Sequence, residues 1–344
     1  MKFEIAPERW IGDGQHCFII AEIGSNHNND FKLALKLIDV AAEARVDAVK
    51  FQTFRAKDHY SLHSPGFTYL DNYSTYDLIR KCELNRSWHA PLKEYAESRN
   101  LIFLSSPCDN EAINELDELG VPAFKVASFD LCDLELIQHM AKTGRPIILS
   151  TGLADWMDIQ RAVDVCRDAG NDKIVLLQCT SLYPAPAYLS NLRAIKVMRD
   201  AFGTLTGYSD HTEDDHISIA AVALGACVIE KHITLNRSLP GPDHPFAIEP
   251  ENLKKMIIRL REVESAIGDG NKNGPRPEER EMFEKGRRSL HARSYISKGE
   301  KITHDKIIIK RPGLGIPPHL MYMVIGRTAR IDIDKDQWIT WEMI

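Results

Sequence analysis

Two histidines each stand at the end of an apolar run in this sequence. His211 lies in GYSDHT (207–212), and His232 lies in IEKHIT (229–234). One histidine in such a run is more often a hydrogen-bonded core residue than a ligand. Two at neighbouring strand ends could instead bind one catalytic divalent cation, because neutral imidazoles leave coordination positions open for carboxylate, water or substrate oxygen. We expect no cysteine ligand next to these two histidines, and this absence argues against a structural zinc site.

Three charged side chains stand inside other apolar runs, where an unpaired charge is costly. They are Glu22 in FIIAEIG, Lys50 in AVKFQTF and Lys125 in FKVAS. A buried ion pair between Glu22 and a lysine is one interpretation. The alternative is that the lysines, helped by serine hydroxyls, bind a phosphate or carboxylate, while Glu22 acts as a general base. A Schiff-base lysine is a third interpretation, but the run IVLLQCT lacks the lysine that common aldolases carry there.

The side chains singled out above share a position, because each lies near the end of a short apolar run. Runs of this length suit strands that are buried on both faces, as in a parallel sheet. Amphipathic segments separate them; in one, Leu33, Leu37 and Val40 recur at helical spacing after a candidate N-cap, Asp30. The eight runs are 17–24, 48–54, 101–107, 124–128, 146–151, 174–180, 204–210 and 227–234.

Eight strand–helix units predict a (β/α)8 TIM barrel, whose active site lies at the carboxyl ends of the strands. A doubly wound sheet is the alternative, but no GxGxxG follows the first run. Because adjacent barrel strands are about 4.8 Å apart, His211 and His232 could share one ion. The opening residues 3–18 predict a β-hairpin around Gly12–Gly14 that closes the other end of the barrel.

The composition changes after Gly268. Residues 1–268 form the predicted barrel domain, and residues 269–285 are polar and rich in glycine and proline, which predicts a linker. In 286–344, ARSYISKGEKIT and ARIDIDKDQWIT agree at six of twelve positions. This repeat predicts a small pseudo-twofold β domain. Its core is marginal by itself, so we expect it to dock onto a partner surface.

The overall composition excludes several classes of protein. The net charge of −6 argues against a nucleic-acid binder. Seven cysteines without a CxxC motif fit a cytoplasmic enzyme with reduced thiols. No run predicts a signal peptide or membrane span. The long loop 55–77 predicts a lid, and we expect His59 and His63 in it to be solvated.

Several motifs together resemble the sialic acid synthase family. The likeness runs in order over nearly the whole chain, and its C-terminal part is similar to the antifreeze-protein-like, or SAF-type, domain of that family. The resemblance therefore implies a TIM barrel followed by a small SAF-type β domain. The motifs are AEIGSNHN (21–28), KFQTF (50–54), CTSLYPAP (179–186), GYSDHT (207–212), EKHIT (230–234), GPDHPFAIEP (241–250) and KRPG (310–313).

The resemblance implies a condensation of phosphoenolpyruvate with an N-acylated aminosugar to a nine-carbon 2-keto acid, with release of phosphate. In the family, Mn²⁺ or Mg²⁺ sits on two histidines that match His211 and His232, and it activates the aldehyde of the open-chain sugar. C3 of phosphoenolpyruvate attacks that aldehyde, water adds at C2, and phosphate leaves by C–O cleavage. Glu22 matches the glutamate that handles the proton of this water.

The resemblance also assigns substrate-binding residues. Arg311 matches an arginine of the C-terminal domain that reaches the N-acyl group in the partner subunit's site, which implies a domain-swapped homodimer. The positions that match phosphoenolpyruvate contacts are Lys50, Ser106, Lys125, Ser128, Ser181 and Ser209. The positions that match sugar contacts are Gln52, Tyr183 and Asp243, and the resemblance makes Asn72 in the loop 55–77 a further candidate.

Departures from the family pattern bear on the sugar. The chain reads ASFD (127–130) where N-acetylneuraminate synthases often read GSGE, so Phe129 replaces a glycine and Asp130 is shorter. ASF is similar to pseudaminic acid synthases, whereas AEIGSNH and KFQTF are similar to the sialic and legionaminic branches. The sequence thus predicts a synthase for an N-acetylmannosamine-type sugar. The alternative is a legionaminic or pseudaminic acid synthase acting on a 2,4-diacetamido-trideoxy hexose. A non-catalytic sugar-binding or antifreeze-type protein is a further alternative.

Overall fold

The computed structural model describes residues 1–66 and 74–344 and divides into two compact units, 1–268 and 269–344. The first unit opens with an antiparallel hairpin of β1 (Lys2–Ala6) and β2 (Arg9–Gly12). Eight parallel strands in the described residues then close into a barrel, which confirms the predicted fold. They are β3 (Phe18–Gly24), β4 (Ala48–Thr53), β5 (Ile102–Pro107), β6 (Phe124–Val126), β7 (Ile147–Ser150), β8 (Ile174–Cys179), β9 (Leu205–Asp210) and β10 (Val228–His232).

Helices alternate with the strands of this barrel. The first begins where predicted, because the Asp30 side chain accepts hydrogen bonds from the backbone N–H groups of Lys32 and Leu33. Among the described residues, no helix is long and apolar enough to span a membrane. The helices of this unit are α1 (Phe31–Ala44), α2 (Ala56–His59), α3 (Thr75–Cys82), α4 (His89–Ser98), α5 (Asn110–Glu118), α6 (Leu134–Lys142), α7 (Trp156–Asp168), α8 (Arg193–Phe202), α9 (His216–Ala223) and α10 (Pro250–Ile267).

The barrel interior is filled from below by apolar side chains. Ile20, Leu104 and Leu177 belong to an interior cluster that also includes Ile5 and Ile11 of the hairpin. The hairpin therefore closes the amino-terminal end of the barrel, as predicted. The predicted position of its turn is wrong, since Ala6 pairs with Arg9 and the chain reverses at residues 7–8 instead of at Gly12–Gly14.

The second unit is a small β structure with its own core. Helix α11 (Arg280–Gly286) precedes the strands of this unit. Strand β11 (Ser289–Ala292) pairs antiparallel with β12 (Ile307–Lys310), and the short helix α12 (Met321–Val324) follows. Ile296 and Ile333, which hold equivalent places in the sequence repeat, donate backbone hydrogen bonds to each other at 3.0 and 2.9 Å. This reciprocal pairing is the arrangement expected of a pseudo-twofold domain.

Candidate active site

Charged residues meet at the carboxyl ends of the barrel strands. In the sheet register, Glu22 of β3 lies beside Lys50 of β4 on one side and His232 of β10 on the other. Ser209 of β9 lies beside Glu230 of β10. All five side chains are buried. Inside a water-excluded barrel mouth, the interactions among these charges are stronger than on a surface.

Two lysines and two glutamates form the centre of this mouth. The Lys50 ammonium lies 2.8 Å from Glu22 Oε2 and 3.8 Å from Glu230 Oε2. The Lys125 ammonium lies 3.7 Å from Glu230 Oε1 and donates a hydrogen bond to Ser150 Oγ at 2.7 Å. The buried ion pair considered from the sequence therefore exists. The cluster contains four charged groups, and Lys50 interacts with both Glu22 and Glu230 instead of pairing with one carboxylate.

The two glutamates differ in their affinity for a proton. Burial raises the pKa of Glu22, and the nearby Glu230 adds to this, although Lys50 offsets part of the rise. Burial alone would also raise the pKa of Glu230, but the attraction of Lys125 and Lys50 outweighs it and lowers that pKa to about 2. Glu22 is therefore the carboxyl group of this cluster that is suited to take up a proton.

Two predicted phosphate-side serines meet at a glycine. Ser128 Oγ accepts a hydrogen bond from the backbone N–H of Gly152 at 3.0 Å. Ser181 Oγ is buried and has no hydrogen-bond partner in the described residues. A Cβ at Gly152 would lie 2.3 Å from Ser181 Oγ and 2.8 Å from Ser128 Oγ, so a larger residue here would force a hydroxyl or the backbone to move. Ser106 accepts from Lys50 at 3.0 Å, and Ser209 donates to Glu230 at 3.1 Å.

The two histidines lie side by side in one layer. The centroids of the His211 and His232 rings are 5.5 Å apart, with an angle of 59° between the planes. His211 Nδ1 faces the carbonyl oxygen of Thr180 at 2.8 Å. A carbonyl only accepts, so Nδ1 carries a proton, and in the neutral ring Nε2 has the lone pair. Burial by itself would lower the pKa of His211, but Cys179 and the Thr180 carbonyl outweigh it and raise that pKa, so an ion bound at Nε2 would have to displace a proton. His232 Nδ1 is buried, has no hydrogen-bond partner in the described residues and lies 3.6 Å from Asp243 Oδ2.

These nitrogens fit a divalent cation. Burial lowers the pKa of His232 to about 4, so its ring is neutral near pH 7 and can act as a ligand. A carbonyl that fixes the tautomer of a metal-binding histidine, as Thr180 does for His211, is a common second contact in such sites. The structure corrects one expectation, because the thiol of Cys179 from β8 lies 3.8 Å from His211 Nδ1. The thiol of Cys179 thus lies beside Nδ1, and this nitrogen cannot be a metal ligand because it carries a proton.

The predicted sugar-binding residues line a pocket next to these imidazoles. Gln52, Tyr183 and Asp243 share it with His232. Gln52 donates a hydrogen bond to Glu22 Oε1 at 2.7 Å. A Cβ at Gly24, where φ is +52°, would lie 3.1 to 3.2 Å from the side chains of Asp243, Glu22 and Gln52. These three side chains therefore converge on the same small space.

A second group of potential metal ligands lies on another wall of the same pocket. His59, Cys108 and Asp130 each offer a ligand atom, and within the described residues these atoms lie within 4.8 Å of one another. The expectation that His59 is solvated is wrong, because its side chain is only 20% exposed. His63 is exposed, as expected.

Two predicted sugar contacts, Asn72 and Arg311, lie outside the described part of the first unit. Asn72 and the middle of the predicted lid lie outside the described residues. Arg311 lies in the second unit, where it is exposed and its Nε donates a hydrogen bond to the carbonyl oxygen of Gly286 at 2.6 Å. Its role in a partner subunit's site stays a prediction.

Sequence reasoning did not select two residues that the structure places in the lysine cluster, Glu230 and Ser150. Both were visible as polar strand ends. Glu230 also stands two positions before His232, which puts both side chains on one face of the strand. That alternation was the signal that could have identified it.

The chain matches known proteins along nearly its whole length. A sequence profile of the NeuB family matches residues 37–272, and one of the SAF domain matches residues 287–344. The chain is 40% identical to the N,N'-diacetyllegionaminic acid synthase of Campylobacter jejuni, covering 93% of this chain and 98% of that protein. It is 36% identical to human N-acetylneuraminate-9-phosphate synthase, covering 100% and 97%.

A solved structure shows the same similarity in three dimensions. It is the N-acetylneuraminic acid (sialic acid) synthetase of Leptospira borgpetersenii in complex with citrate. The sequence identity is 33%, the TM-score is 0.74, and the match covers 83% of this chain and 95% of that chain.

Proposed function

This chain belongs to the NeuB family of sialic and nonulosonic acid synthases, and from that premise we propose that it condenses phosphoenolpyruvate with an N-acylated aminosugar to a nine-carbon 2-keto acid and phosphate. One observation carries the proposal. Buried Lys50 stands beside Glu22, and buried Lys125 joins the same cluster through Glu230, at the strand ends that also hold the adjacent imidazoles of His211 and His232. Such a site offers positive charge for an anion, a proton acceptor and a metal position together.

Phosphoenolpyruvate is a small polyanion, so it needs fixed positive charge and hydrogen-bond donors. We assign it to Lys50 and Lys125, whose ammonium groups are buried and already partly neutralised by Glu22 and Glu230. A buried hydroxyl without a partner in the described residues, that of Ser181, supports an oxyanion beside it. The serines assigned to the same substrate are Ser106, Ser128, Ser181 and Ser209.

A divalent cation, Mn²⁺ or Mg²⁺, would be held by the imidazoles of His211 and His232, with the carboxylate of Asp243 close to the second ring. Imidazole ligands favour Mn²⁺ over Mg²⁺, which prefers oxygen. When bound, such an ion supplies Lewis-acid polarisation of the sugar aldehyde. Phe246 and Tyr183 pack against His211, at 6.2 and 4.4 Å between ring centroids, and hold that ring in place.

The proposed reaction forms a carbon–carbon bond and replaces the bond from C2 to the phosphate oxygen by a bond from C2 to the oxygen of water. C3 of phosphoenolpyruvate attacks the aldehyde carbon, whose oxygen takes up a proton and becomes a hydroxyl, and a water adds to C2. The C2–O bond to phosphate then breaks as the new C2 hydroxyl releases its remaining proton to the departing phosphate, which leaves the keto group. Glu22 accepts the proton that the water gives up. Its raised pKa makes it a better base than an exposed glutamate, and Gln52 orients its carboxylate through the 2.7 Å hydrogen bond.

Two classes of aminosugar remain candidates, and one feature of the pocket favours the second. N-acetylmannosamine carries hydroxyl groups at C4 and C6. A 2,4-diacetamido-trideoxy hexose, the precursor type for legionaminic and pseudaminic acids, carries an acyl group and a methyl group there. The pocket wall includes the apolar side chains of Phe54, Leu78, Ile79 and Phe129. The trideoxy sugar buries more apolar surface against such a wall.

We further propose a domain-swapped homodimer, with residues 1–268 as the catalytic domain, 269–285 as its connection and 286–344 as an arm. Arg311 of one subunit would bind the N-acyl group of a sugar in the site of the other. Its exposure supports this, because an exposed guanidinium is able to contact a partner.

The decisive experiment is a substrate panel. Purified protein with phosphoenolpyruvate and Mn²⁺ is given N-acetylmannosamine, its 6-phosphate and the 2,4-diacetamido-trideoxy hexoses, and phosphate release and product mass are measured. We expect one sugar class to give a nine-carbon acid, and His211→Ala and metal chelation to abolish it. If phosphate is not released with any sugar of the panel, the proposal is contradicted. Sugar binding that survives both chelation and His211→Ala, without turnover, would favour the non-catalytic alternative.

A further inference from the structure

The second group of ligands, His59, Cys108 and Asp130, comes from three separate elements. His59 is the last residue of α2, Cys108 directly follows β5, and Asp130 ends the short turn that follows β6. Nδ1 of His59 lies 4.0 Å from Asp130 Oδ1, and Cys108 Sγ lies 3.6 Å from Asp130 Oδ2. The side chains of His59 and Asp130 are only 20% and 12% exposed.

The three ligand atoms lie within 4.8 Å of one another, close enough for a small movement to bring them onto one zinc ion. With Zn–S near 2.3 Å and Zn–N or Zn–O near 2.0 Å, ligand atoms in a tetrahedral site lie roughly 3.3–3.8 Å apart. The 3.6 Å from Cys108 Sγ to Asp130 Oδ2 is already close to such an edge. The 4.0 Å from His59 Nδ1 runs to the other carboxylate oxygen, Oδ1, and must shorten by about 0.7 Å to reach a nitrogen–oxygen edge of about 3.3 Å. Thiolate, imidazole and carboxylate together suit zinc. The pair His211 and His232 offers a different, sulfur-free donor set.

The surroundings keep the three ligands in place before any ion binds. Cys108 donates its thiol hydrogen towards Asp130, and the His59 ring stacks on Phe54 at 6.0 Å between centroids, with an interplanar angle of 20°. All of these residues line the pocket that also contains Gln52. An ion on the three side chains would therefore have its fourth position facing the pocket.

We propose that His59, Cys108 and Asp130 form a Zn²⁺ site on the wall of the aminosugar pocket. The thiol of Cys108 gives up its proton to solvent when the ion binds. The ion and the sugar exclude each other, so Zn²⁺ inhibits the enzyme competitively against the aminosugar and not against phosphoenolpyruvate. The inhibition rests on the proposed function, whereas the binding does not.

Cadmium is the probe for binding, because Cd²⁺ occupies zinc sites and a bound thiolate gives an ultraviolet charge-transfer band. The full-length protein should develop this band at one equivalent of Cd²⁺, and His211→Ala/His232→Ala should keep it. Cys108→Ser and His59→Ala should lose it, whereas Cys132→Ser, which changes an exposed cysteine, should retain it. Circular dichroism shows that each variant folds. No band in the wild-type protein, a band that survives Cys108→Ser, or one lost only in the double histidine variant overturns the site.

Kinetics then test the competition. With Mn²⁺ saturating, Zn²⁺ should raise the KM for the sugar several-fold and leave the KM for phosphoenolpyruvate unchanged. If Zn²⁺ lowers kcat without raising the KM for the sugar, the position in the sugar pocket is wrong. If no sugar is turned over at all, the proposed function fails, and the cadmium result still decides the metal site.

Discussion

Glu22 and Glu230 both lie beside Lys50, but their chemical environments differ. Burial dominates at Glu22 and raises its pKa, whereas Lys125 and Lys50 together overcome burial at Glu230 and lower its pKa to about 2. Groups whose pKa values are pushed apart in one site are suited to opposite proton-transfer tasks. Glu230 thus stays ionised and orders the lysines, and Glu22 is left to exchange a proton.

Glu22→Gln tests this division of roles. The amide keeps the shape of the side chain but cannot accept the proton, so kcat should fall by about 10²–10⁴-fold. Phosphoenolpyruvate should still bind, since both lysines and the serine hydroxyls remain. Steady-state kinetics and calorimetric binding of phosphoenolpyruvate measure the two effects. Glu264→Gln, which alters a carboxylate bonded to Arg261 outside this cluster, is the control and should leave kcat unchanged. Weaker binding of phosphoenolpyruvate with an unchanged kcat would mean that Glu22 serves binding only.

Gly152→Ala tests whether Ser128 and Ser181, which meet at this glycine, bind phosphoenolpyruvate. The added methyl group would stand 2.3 Å from Ser181 Oγ, so that hydroxyl or the backbone has to move. The KM for phosphoenolpyruvate should rise about tenfold or more, which corresponds to at least about 1.4 kcal/mol. The KM for the sugar should change much less.

Gly286→Ala is the matched control for this glycine substitution. Its backbone does not need a positive φ, and in the described residues the new Cβ would meet Met282 Cε at 3.9 Å, an ordinary contact. A Gly152→Ala enzyme with unchanged affinity for phosphoenolpyruvate would show that Ser128 and Ser181 do not contact this substrate.

The sequence identified most of these side chains, but it could not measure their distances. An apolar run with an internal lysine predicts a buried ammonium, and the run containing Glu22 offered a partner. The sequence could not distinguish one isolated ion pair from the cluster of Lys50, Lys125, Glu22 and Glu230. The composition of the cluster depends on the register between strands that are far apart in the chain. Cys179 was missed as a neighbour of His211 for the same reason.

At the scale of elements, the ends of β9 and β10 are tied together behind the histidines. Lys231 lies between Glu230 and His232 in the sequence and so points to the opposite face of the strand. Its ammonium lies 3.0 Å from Asp210 Oδ2 and donates to the carbonyl oxygen of Asp214 at 2.9 Å. Both side chains of the pair are buried. This pair fixes the segment that carries His211 relative to β10.

Lys231→Met should therefore weaken metal binding without touching a ligand. Removing the lysine leaves Asp210 buried and unpaired, which costs about 3–5 kcal/mol of stability, and Mn²⁺ affinity should fall about 10–100-fold. Electron paramagnetic resonance of Mn²⁺ bound to the protein measures the affinity independently of activity. Calorimetric binding of phosphoenolpyruvate serves as the comparison.

The double change Lys231→Met/Asp210→Asn separates positioning from general loss of stability. It removes the unpaired charge and should recover part of the stability, but it does not restore the link to Asp214. Mn²⁺ affinity should therefore stay low. Should both single and double variants bind Mn²⁺ like the wild-type protein, the pair has no part in positioning His211.

The element pattern was largely readable from the sequence, and its one error has a local cause. Continuous apolar runs predicted the eight barrel strands, because strands covered on both faces need them. The hairpin turn was placed at Gly12–Gly14 because glycine favours turns. The chain instead turns at residues 7–8, where Glu8 adopts a φ of +62°, a conformation that glycine more commonly takes.

At the scale of the whole molecule, the question is whether the arm of one subunit completes the site of another. The SAF domain has a compact core of its own that includes Leu290, Ile296 and Ile333, and it carries Arg311 on its surface. In a C2 dimer with exchanged arms, each active site combines the barrel of one chain with the arm of the other. This arrangement predicts that two defective chains can repair each other.

Mixing Arg311→Ala chains with His211→Ala chains tests the exchange. In the proposed homodimer, each variant lacks one requirement in both of its sites: Arg311 of the arm in the first variant, and the imidazole of His211 in the second. A mixed dimer has one site with an intact barrel from the first chain and an intact arm from the second. After reversible dissociation and reassociation, activity should exceed the sum of the separate variants, and the recovered KM for the sugar should equal that of the wild-type enzyme.

The matched control is a chain that carries both substitutions, mixed with wild-type chains. Every mixed dimer then keeps one barrel with His211, but the arm offered to that barrel lacks Arg311. Under exchange, mixing therefore lowers the activity contributed by each wild-type chain, whereas arms that serve their own barrel leave it unchanged. Mixed dimers that form, as judged by native mass spectrometry, but show no gain in the first experiment would place Arg311 at its own barrel or outside the site. The exchange is thus decided by activity per intact barrel, independently of which aminosugar the enzyme uses.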